Sequence, residues 1–311
     1  MRLGVLDVGS NTVHLLVVDA HRGAQPTPQH TRKSVLRLWE QHLRKRGDLD
    51  LAGADALVGA AIGAVREAKE LNCDDLLAFA TSAVRDAQNS AEVLDRVRTE
   101  AGVDLQVLSG DDEARLTFLA VRRWFGWSAG ALICLDIGGG SLELSAGPDE
   151  QPAVALSVPL GAGRLTREWF SADPPPKSEV AALRSYADDA LAGPTKALLA
   201  SGPPDQVVGT SKTFRTLARL AGAAPSSAGP RVRRTLSRIG LRQVTGLISR
   251  MSSADLSDLD GASSARAHQT LAGAIVAAAA MDAIGVTQLD LCPWALREGV
   301  ILRRLDQLEG L

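Results

Sequence analysis

Cysteine is scarce. Cys73, Cys134 and Cys292 lie far apart, the last two beside apolar residues. That spacing fits neither a zinc ligand set nor a redox pair, and it reads as buried, reduced thiols in a cytoplasmic protein. Charge of one sign is also missing, because 34 Lys and Arg against 36 Asp and Glu leave a formal net charge of −2. Such a chain offers no bulk basic surface, so nucleic acid is not expected as a partner. Its local basic run, Arg231, Arg233 and Arg234, reads as a solvated helix face. Long hydrophobic runs are absent too. The longest, residues 271–284, is alanine-rich and too short for a bilayer, so it reads as a core helix and no membrane partner is expected. The N-terminus opens on strand-like residues in place of a charged segment and a hydrophobic signal core, which points to the cytoplasm.

What is present is an ordinary globular composition, 45% hydrophobic and 23% charged, over 311 residues, enough for two domains. One pattern occurs twice. Leu3-Gly-Val-Leu-Asp7-Val-Gly9-Ser10-Asn11-Thr12 returns 129 residues later as Leu132-Ile-Cys-Leu-Asp136-Ile-Gly138-Gly139-Gly140-Ser141. Each is an apolar run ending in Asp, an aliphatic residue, and then glycine with small polar residues. An apolar run bounded by glycines reads as a buried strand entering a tight turn. Glycine lets backbone N–H groups approach an anion, and short hydroxyl and amide side chains add donors. Two such turns facing each other would grip a phosphate chain from both sides, with the aspartates holding its magnesium. The bland alternative is that Asp7 and Asp136 cap their own turns.

The rest of the chain alternates strands with helices. Residues 1–19 and 131–147 read as strand–turn–strand, 54–70 as an amphipathic helix, and 76–80, 105–108 and 206–208 as short strands. Asn89 or Ser90 reads as a helix cap with Glu92 reaching back, and Gly102 as the end of that helix. Beyond residue 213 the chain reads as mostly helical, apart from a strand near 289–291. This is α/β architecture with a duplicated strand hairpin in each half, not a doubly wound dinucleotide fold. The glycines of 126–130 mark the boundary between a domain at 1–126 and one at 127–311, with a last helix at about 296–310 that can pack back on the first.

Further groups suit phosphate chemistry. Ser141 and Glu143 share a strand face, so Asp136 and Glu143 can approach one cation; a solvated strand carboxylate is the alternative for Glu143. Arg85 sits between a strand end and a helix start, suited to fork a phosphate or to pair with Asp86 or Asp112. Asp111, Asp112 and Glu113 open a helix whose dipole favours acids, and nothing local selects one of them as a base. Gly209-Thr210-Ser211-Lys212-Thr213 is a polar grip or a helix cap, and it lacks the glycine spacing of a P-loop. His14 and His268 have no partner at ligand spacing and read as structural.

Five segments together carry a resemblance: residues 6–12, 80–86, 109–115, 135–143 and 296–299, the last reading Leu296-Arg-Glu-Gly299. In this order the chain resembles the exopolyphosphatase/guanosine pentaphosphate phosphohydrolase family, most closely its short two-domain actinobacterial members. The resemblance implies two actin-like (ribonuclease H-like) domains of the acetate kinase–Hsp70–actin superfamily flanking an interdomain cleft. It implies Glu113 as the base activating water and Mg2+ at Asp136 and Glu143. Arg85, Gly9, Ser10, Asn11, Thr12, Gly138, Gly139, Gly140 and Ser141 fall on the phosphates. The implied reaction removes terminal orthophosphate from inorganic polyphosphate, with guanosine pentaphosphate (pppGpp, beside ppGpp) the alternative nucleotide ligand and a homodimer the implied assembly. A polyphosphate or alarmone sensor without turnover and a sugar or acetate kinase of the same superfamily are the other classes. Two departures bear on substrate identity: Lys212 stands where relatives usually carry glycine, and 38–40 lacks their glycine-rich turn.

Overall fold

The computed structural model describes every residue except Arg22, Lys45, Gly310 and Leu311. The chain divides into two compact units, Met1–Glu113 with Arg297–Leu311, and Ala114–Leu296.

Unit 1 is built on a five-stranded sheet. β1 (Arg2–Val8), β2 (Thr12–Asp19) and β3 (His30–Val35) form an antiparallel meander, and β4 (Asp75–Ala80) and β5 (Gln106–Val107) add in parallel on the other side of β1. The order is β3-β2-β1-β4-β5. β1 is central, and its Leu3, Val5, Leu6 and Val8 are wholly buried, the continuous apolar run expected of a strand covered on both faces. Helices α1 (Leu51–Glu70), α2 (Ser82–Arg85) and α3 (Ser90–Arg96) follow, and Leu57, Ala61 and Ala64 of α1 pack into the core with Leu6, Val8 and Leu15. α1 starts before the expected residue 54 because Asp50 caps it, accepting from Gly53 N–H at 2.7 Å. Asn89 precedes α3 but does not cap it; its amide bonds both backbone groups of Leu49.

α4 (Gly110–Phe125) runs through the division after Glu113, so the break lies inside this helix and not at the glycines of 126–130. The reason is packing: Phe118 and Val121 cluster with Leu132, Cys134, Val208 and Cys292.

Unit 2 repeats the first sheet and extends it. β6 (Leu132–Ile137), β7 (Leu142–Gly147) and β8 (Val154–Val158) are the antiparallel meander; β9 (Gln206–Thr210) and β11 (Gln288–Leu291) are parallel beyond β6, and β10 (Thr235–Ser237) closes the edge. Its order, β10-β11-β9-β6-β7-β8, contains the five strands of unit 1 in the same arrangement. The helices are α5 (Ala162–Trp169), α6 (Lys177–Leu198), α7 (Ser211–Leu220), α8 (Arg238–Ile248), α9 (Ser253–Ser257) and α10 (Ala267–Ile284). The alanine-rich α10 is the core helix expected, 78% buried within the protein. α11 (Leu296–Glu309) begins at the second crossing between units, and its Arg304 Nη2 bonds Asp75 Oδ2 at 2.8 Å; Gly310, the last residue expected in it, lies outside the described residues.

The basic run 231–234 is not a helix face. Arg233 pairs with Asp290, Arg231 lies 4.6 Å over the Trp124 ring, and Arg234 binds loop carbonyls. Arg122 does similar work inside unit 2. It is 1% exposed, burial pushes its pKa down, and it donates to the carbonyls of Gly126, Gly130 and Gly147 at 3.2, 2.6 and 3.1 Å. Arg122→Met should lower unfolding stability by about 2–3 kcal/mol in urea titrations, since three carbonyls lose a charged donor.

Candidate active site

The two turns have the same internal bond. Gly9 N–H donates to Thr12 O, and Gly138 N–H to Ser141 O, each at 2.9 Å. Neither Gly9 nor Gly138 has a left-handed backbone; at Gly138 an added Cβ would make a tight contact, 3.3 Å from Ser141 O. Ser10, Asn11 and Ser141 are buried, while Gly9, Thr12, Gly138 and Gly139 are half-buried.

In both units the turn's carbonyls are engaged by the segment after the third strand. Ser10 O accepts from Leu38 N–H at 2.8 Å, and Asn11 O from Leu36 and Arg37 N–H at 2.8 and 3.1 Å. Gly138 O accepts from Ala162 N–H at 3.0 Å, and Gly139 O from Arg164 N–H at 2.9 Å. A carbonyl fixed this way cannot turn toward an anion. Gly161 lies so close to the unit 2 turn that an added Cβ would sit 2.2 Å from Gly140 C. Unit 1 lacks that glycine, and Arg37 adopts the left-handed conformation there, at φ 50°.

The strand beside each turn ends alike. Thr81 and Thr210 have nearly equal dihedrals, φ −117°, ψ −158° and φ −120°, ψ −163°, and each starts a helix. Thr81 N–H donates to Val8 O at 3.1 Å, and Thr213 Oγ1 to Ile137 O at 2.9 Å, so both helices are pinned to the strand leading into a turn. Ser82 brings its Oγ to 3.0 Å from Ser10 Oγ. In the second loop the left-handed residue is Ser211 (φ 76°), not Lys212, which is exposed at the start of α7.

Glu113 separates from its neighbours by contact. Ser109 Oγ accepts from Asp112 N–H at 3.1 Å and donates to Asp112 Oδ2 at 2.7 Å, so Asp112 serves the helix cap, and Asp111 is exposed. Glu113 is 7% exposed and bonds Arg85 Nη1. Arg85 also donates from Nη1 to Leu108 O and from Nε to Asp86, each at 3.1 Å, bonds that leave Nη2 out. Burial opposes the charge on Arg85, but Glu113 and Asp86 outweigh it and hold its pKa above the ordinary arginine value.

Asp136 and Glu143 stand directly opposite in the β6–β7 register, which puts both side chains on one face of the hairpin. Glu143 is buried, and its Oε1 accepts from Ser157 Oγ at 3.0 Å. In unit 1 the equivalent pair is Asp7 and His14, with Arg297 Nε 3.9 Å from Asp7. Only the unit 2 turn therefore carries an oxygen-only pair. Among the described residues no group of three or more His, Cys, Asp or Glu is placed to hold a metal. Two carboxylates suit Mg2+, which takes its remaining ligands from water and phosphate. Sequence reading missed Ser157, because β8 was not read as a strand, and it gave no role to Ser82 or to Arg297 within the Leu296–Gly299 segment.

Two sheets that share one five-strand arrangement, each with a glycine turn between its first hairpin strands, define two actin-like α/β domains. The family model for the Ppx/GppA phosphatase family matches residues 16–308, and the chain belongs to that family. Exopolyphosphatase 1 of Mycobacterium tuberculosis is 60% identical over 306 residues, covering 98% of this chain and 89% of the relative. The crystal structure of an exopolyphosphatase from Cytophaga hutchinsonii has the same fold, with a TM-score of 0.89 at 24% identity, covering 99% of this chain and 98% of that one. The Aquifex aeolicus Ppx/GppA enzyme aligns with a TM-score of 0.80 at 26% identity over 97% of this chain and 99% of its own.

Gly161→Ala should destabilise unit 2 by at least ~1–3 kcal/mol, because the turn backbone has no room to yield. Gly193→Ala in α6, where a Cβ meets nothing within 4 Å, should be neutral or slightly stabilising when both variants are compared in thermal melts.

Proposed function

We propose that this protein is an exopolyphosphatase that hydrolyses terminal orthophosphate from inorganic polyphosphate with Mg2+. The observation that carries the reading is Glu113: of three adjacent acids it alone is buried, and it lies against a guanidinium suited to phosphate. Likeness over nearly the whole chain to a protein named exopolyphosphatase 1 supports the same substrate. In this reading Glu113 orients a water and accepts its proton as the water oxygen attacks the terminal phosphorus. The bridging P–O bond breaks, orthophosphate leaves, and the shortened chain carries away the bridging oxygen. A carboxylate beside Arg85 is a weak base, which suits phosphoryl transfer because positioning and charge neutralisation dominate the barrier.

Arg85 bonds Glu113 through Nη1 and offers Nη2 to a phosphate oxygen. The turns Gly9-Ser10-Asn11-Thr12 and Gly138-Gly139-Gly140-Ser141 supply short-range donors to the polyanion, and Lys212 adds a positive charge. Asp136 and Glu143 are the residues that would hold Mg2+, which when bound neutralises phosphate oxygens. Ser157, by donating to Glu143, orients that carboxylate.

Glu113→Gln should cut turnover by ~100-fold or more while leaving polyphosphate affinity nearly unchanged. Phosphate release and equilibrium binding measured on one preparation check this, and undiminished turnover would remove Glu113 from the role. Asp136→Asn should raise the Mg2+ concentration needed for half-maximal rate by roughly tenfold or more, with no change for a variant distant from the turn. Release from guanosine pentaphosphate under the same conditions should be slower than from polyphosphate; the reverse order would reassign the substrate.

A further inference from the structure

Unit 2 contains a cavity of about 370 Å3 that shares only Lys212 with the residues proposed for hydrolysis. One wall is a single face of α7, where Lys212, Arg215 and Arg219 follow each other at helical spacing. The facing wall is the loop 224–234, and residues 291–293 after β11 close a third side. Arg234 makes the loop wall rigid by donating to the carbonyls of Ala224, Pro225, Gly229 and Val232 at 2.9, 2.6, 3.0 and 2.8 Å. The cavity is therefore preformed, and its volume lies in the range of small-molecule sites.

Its charge is unbalanced. Lys212, Arg215, Arg219 and Arg234 line it with Asp260 as the only carboxylate among the described residues, and Asp260 is already paired with Arg219 Nη2. Arg219 also donates from Nη1 to Ala223 O at 3.0 Å, and its buried Nε–H has no hydrogen-bond partner among the described residues. Arg215 is held by weaker bonds, to Ser211 O at 3.1 Å and Pro293 O at 3.4 Å. Guanidinium groups with donor capacity to spare on a shared wall suit a phosphate. The remaining lining is apolar in part, including Pro225, Leu291 and Pro293. An inorganic phosphate chain has no use for such a surface, whereas a ring or carbon skeleton does.

We propose that this cavity binds a small organic phosphate, with Arg215 and Arg219 holding the phosphate and the proline-lined side covering the organic portion. Apart from Lys212 the cavity shares no residue with the proposed hydrolysis, and its proposal stands whether or not that reading holds. Calorimetric titration of the full chain at low salt tests it, with adenosine 5′-diphosphate, pyrophosphate and adenosine as probes. The diphosphate should bind roughly tenfold or more tighter than either fragment, because each fragment satisfies only one half of the cavity. Ser227→Trp, an exposed residue on the lining loop, should weaken that binding by roughly tenfold without altering polyphosphate turnover, and Arg215→Gln with Arg219→Gln should abolish it. Diphosphate binding unchanged by Ser227→Trp and by the double substitution overturns the proposal. So does pyrophosphate binding as tightly as the nucleotide.

Discussion

A backbone that is to receive a polyanion, as proposed for both turns, must first deal with its own carbonyl oxygens, which repel phosphate as strongly as the N–H groups attract it. Both turns meet this constraint by the same device. The chain that follows the third strand of each sheet returns and donates N–H groups to the turn carbonyls, Leu36, Arg37 and Leu38 in one unit and Ala162 and Arg164 in the other. The sheets, the helices pinned by Thr81 and Thr213 and the tight packing at Gly161 all support that arrangement. Side-chain chemistry is laid over a backbone already committed to one orientation.

The two copies have diverged in charge. Asp136 faces Glu143, but Asp7 faces His14 and lies near Arg297. Oxygen donors in pairs favour a hard cation, and an imidazole with a guanidinium does not. Duplication thus kept the turn geometry and let the electrostatics separate.

Local patterns were legible where one stretch of chain carries its own signal. The repeated Asp and glycine turns, the α/β alternation, the acidic start of α4 and the buried alanine-rich helix all follow from spacing and periodicity. Elements whose order comes from a neighbour were not. β3 reads His-Thr-Arg-Lys-Ser-Val, alternating half-buried and exposed, and it is a strand because β2 offers it a ladder. β8 and β10 were missed for the same reason, and Ser157 with them. Asn89 looked like a cap but serves Leu49, a residue 40 positions away that its own sequence neighbourhood does not reveal. The choice of Glu113 over Asp111 and Asp112 needed Arg85 brought against it from another element. Of the arginines at 231–234, which looked like a solvated face, Arg231 and Arg233 are exposed, but Arg234 braces a loop, because carbonyls clustered by folding are invisible along the chain.

Small residues in α10 carry an implication for how lesions in this protein would present. Gly273 sits where a Cβ would come 2.5 Å from Thr213 Cγ2, and Thr213 in turn holds Ile137 O at the foot of the glycine turn. A methyl group gained in the middle of a buried helix would push on that threonine and hence on the strand end it steadies. Damage of this kind would mimic a ligand-affinity defect while lying wholly within the hydrophobic interior, so a kinetic phenotype alone would misdirect a search for its origin.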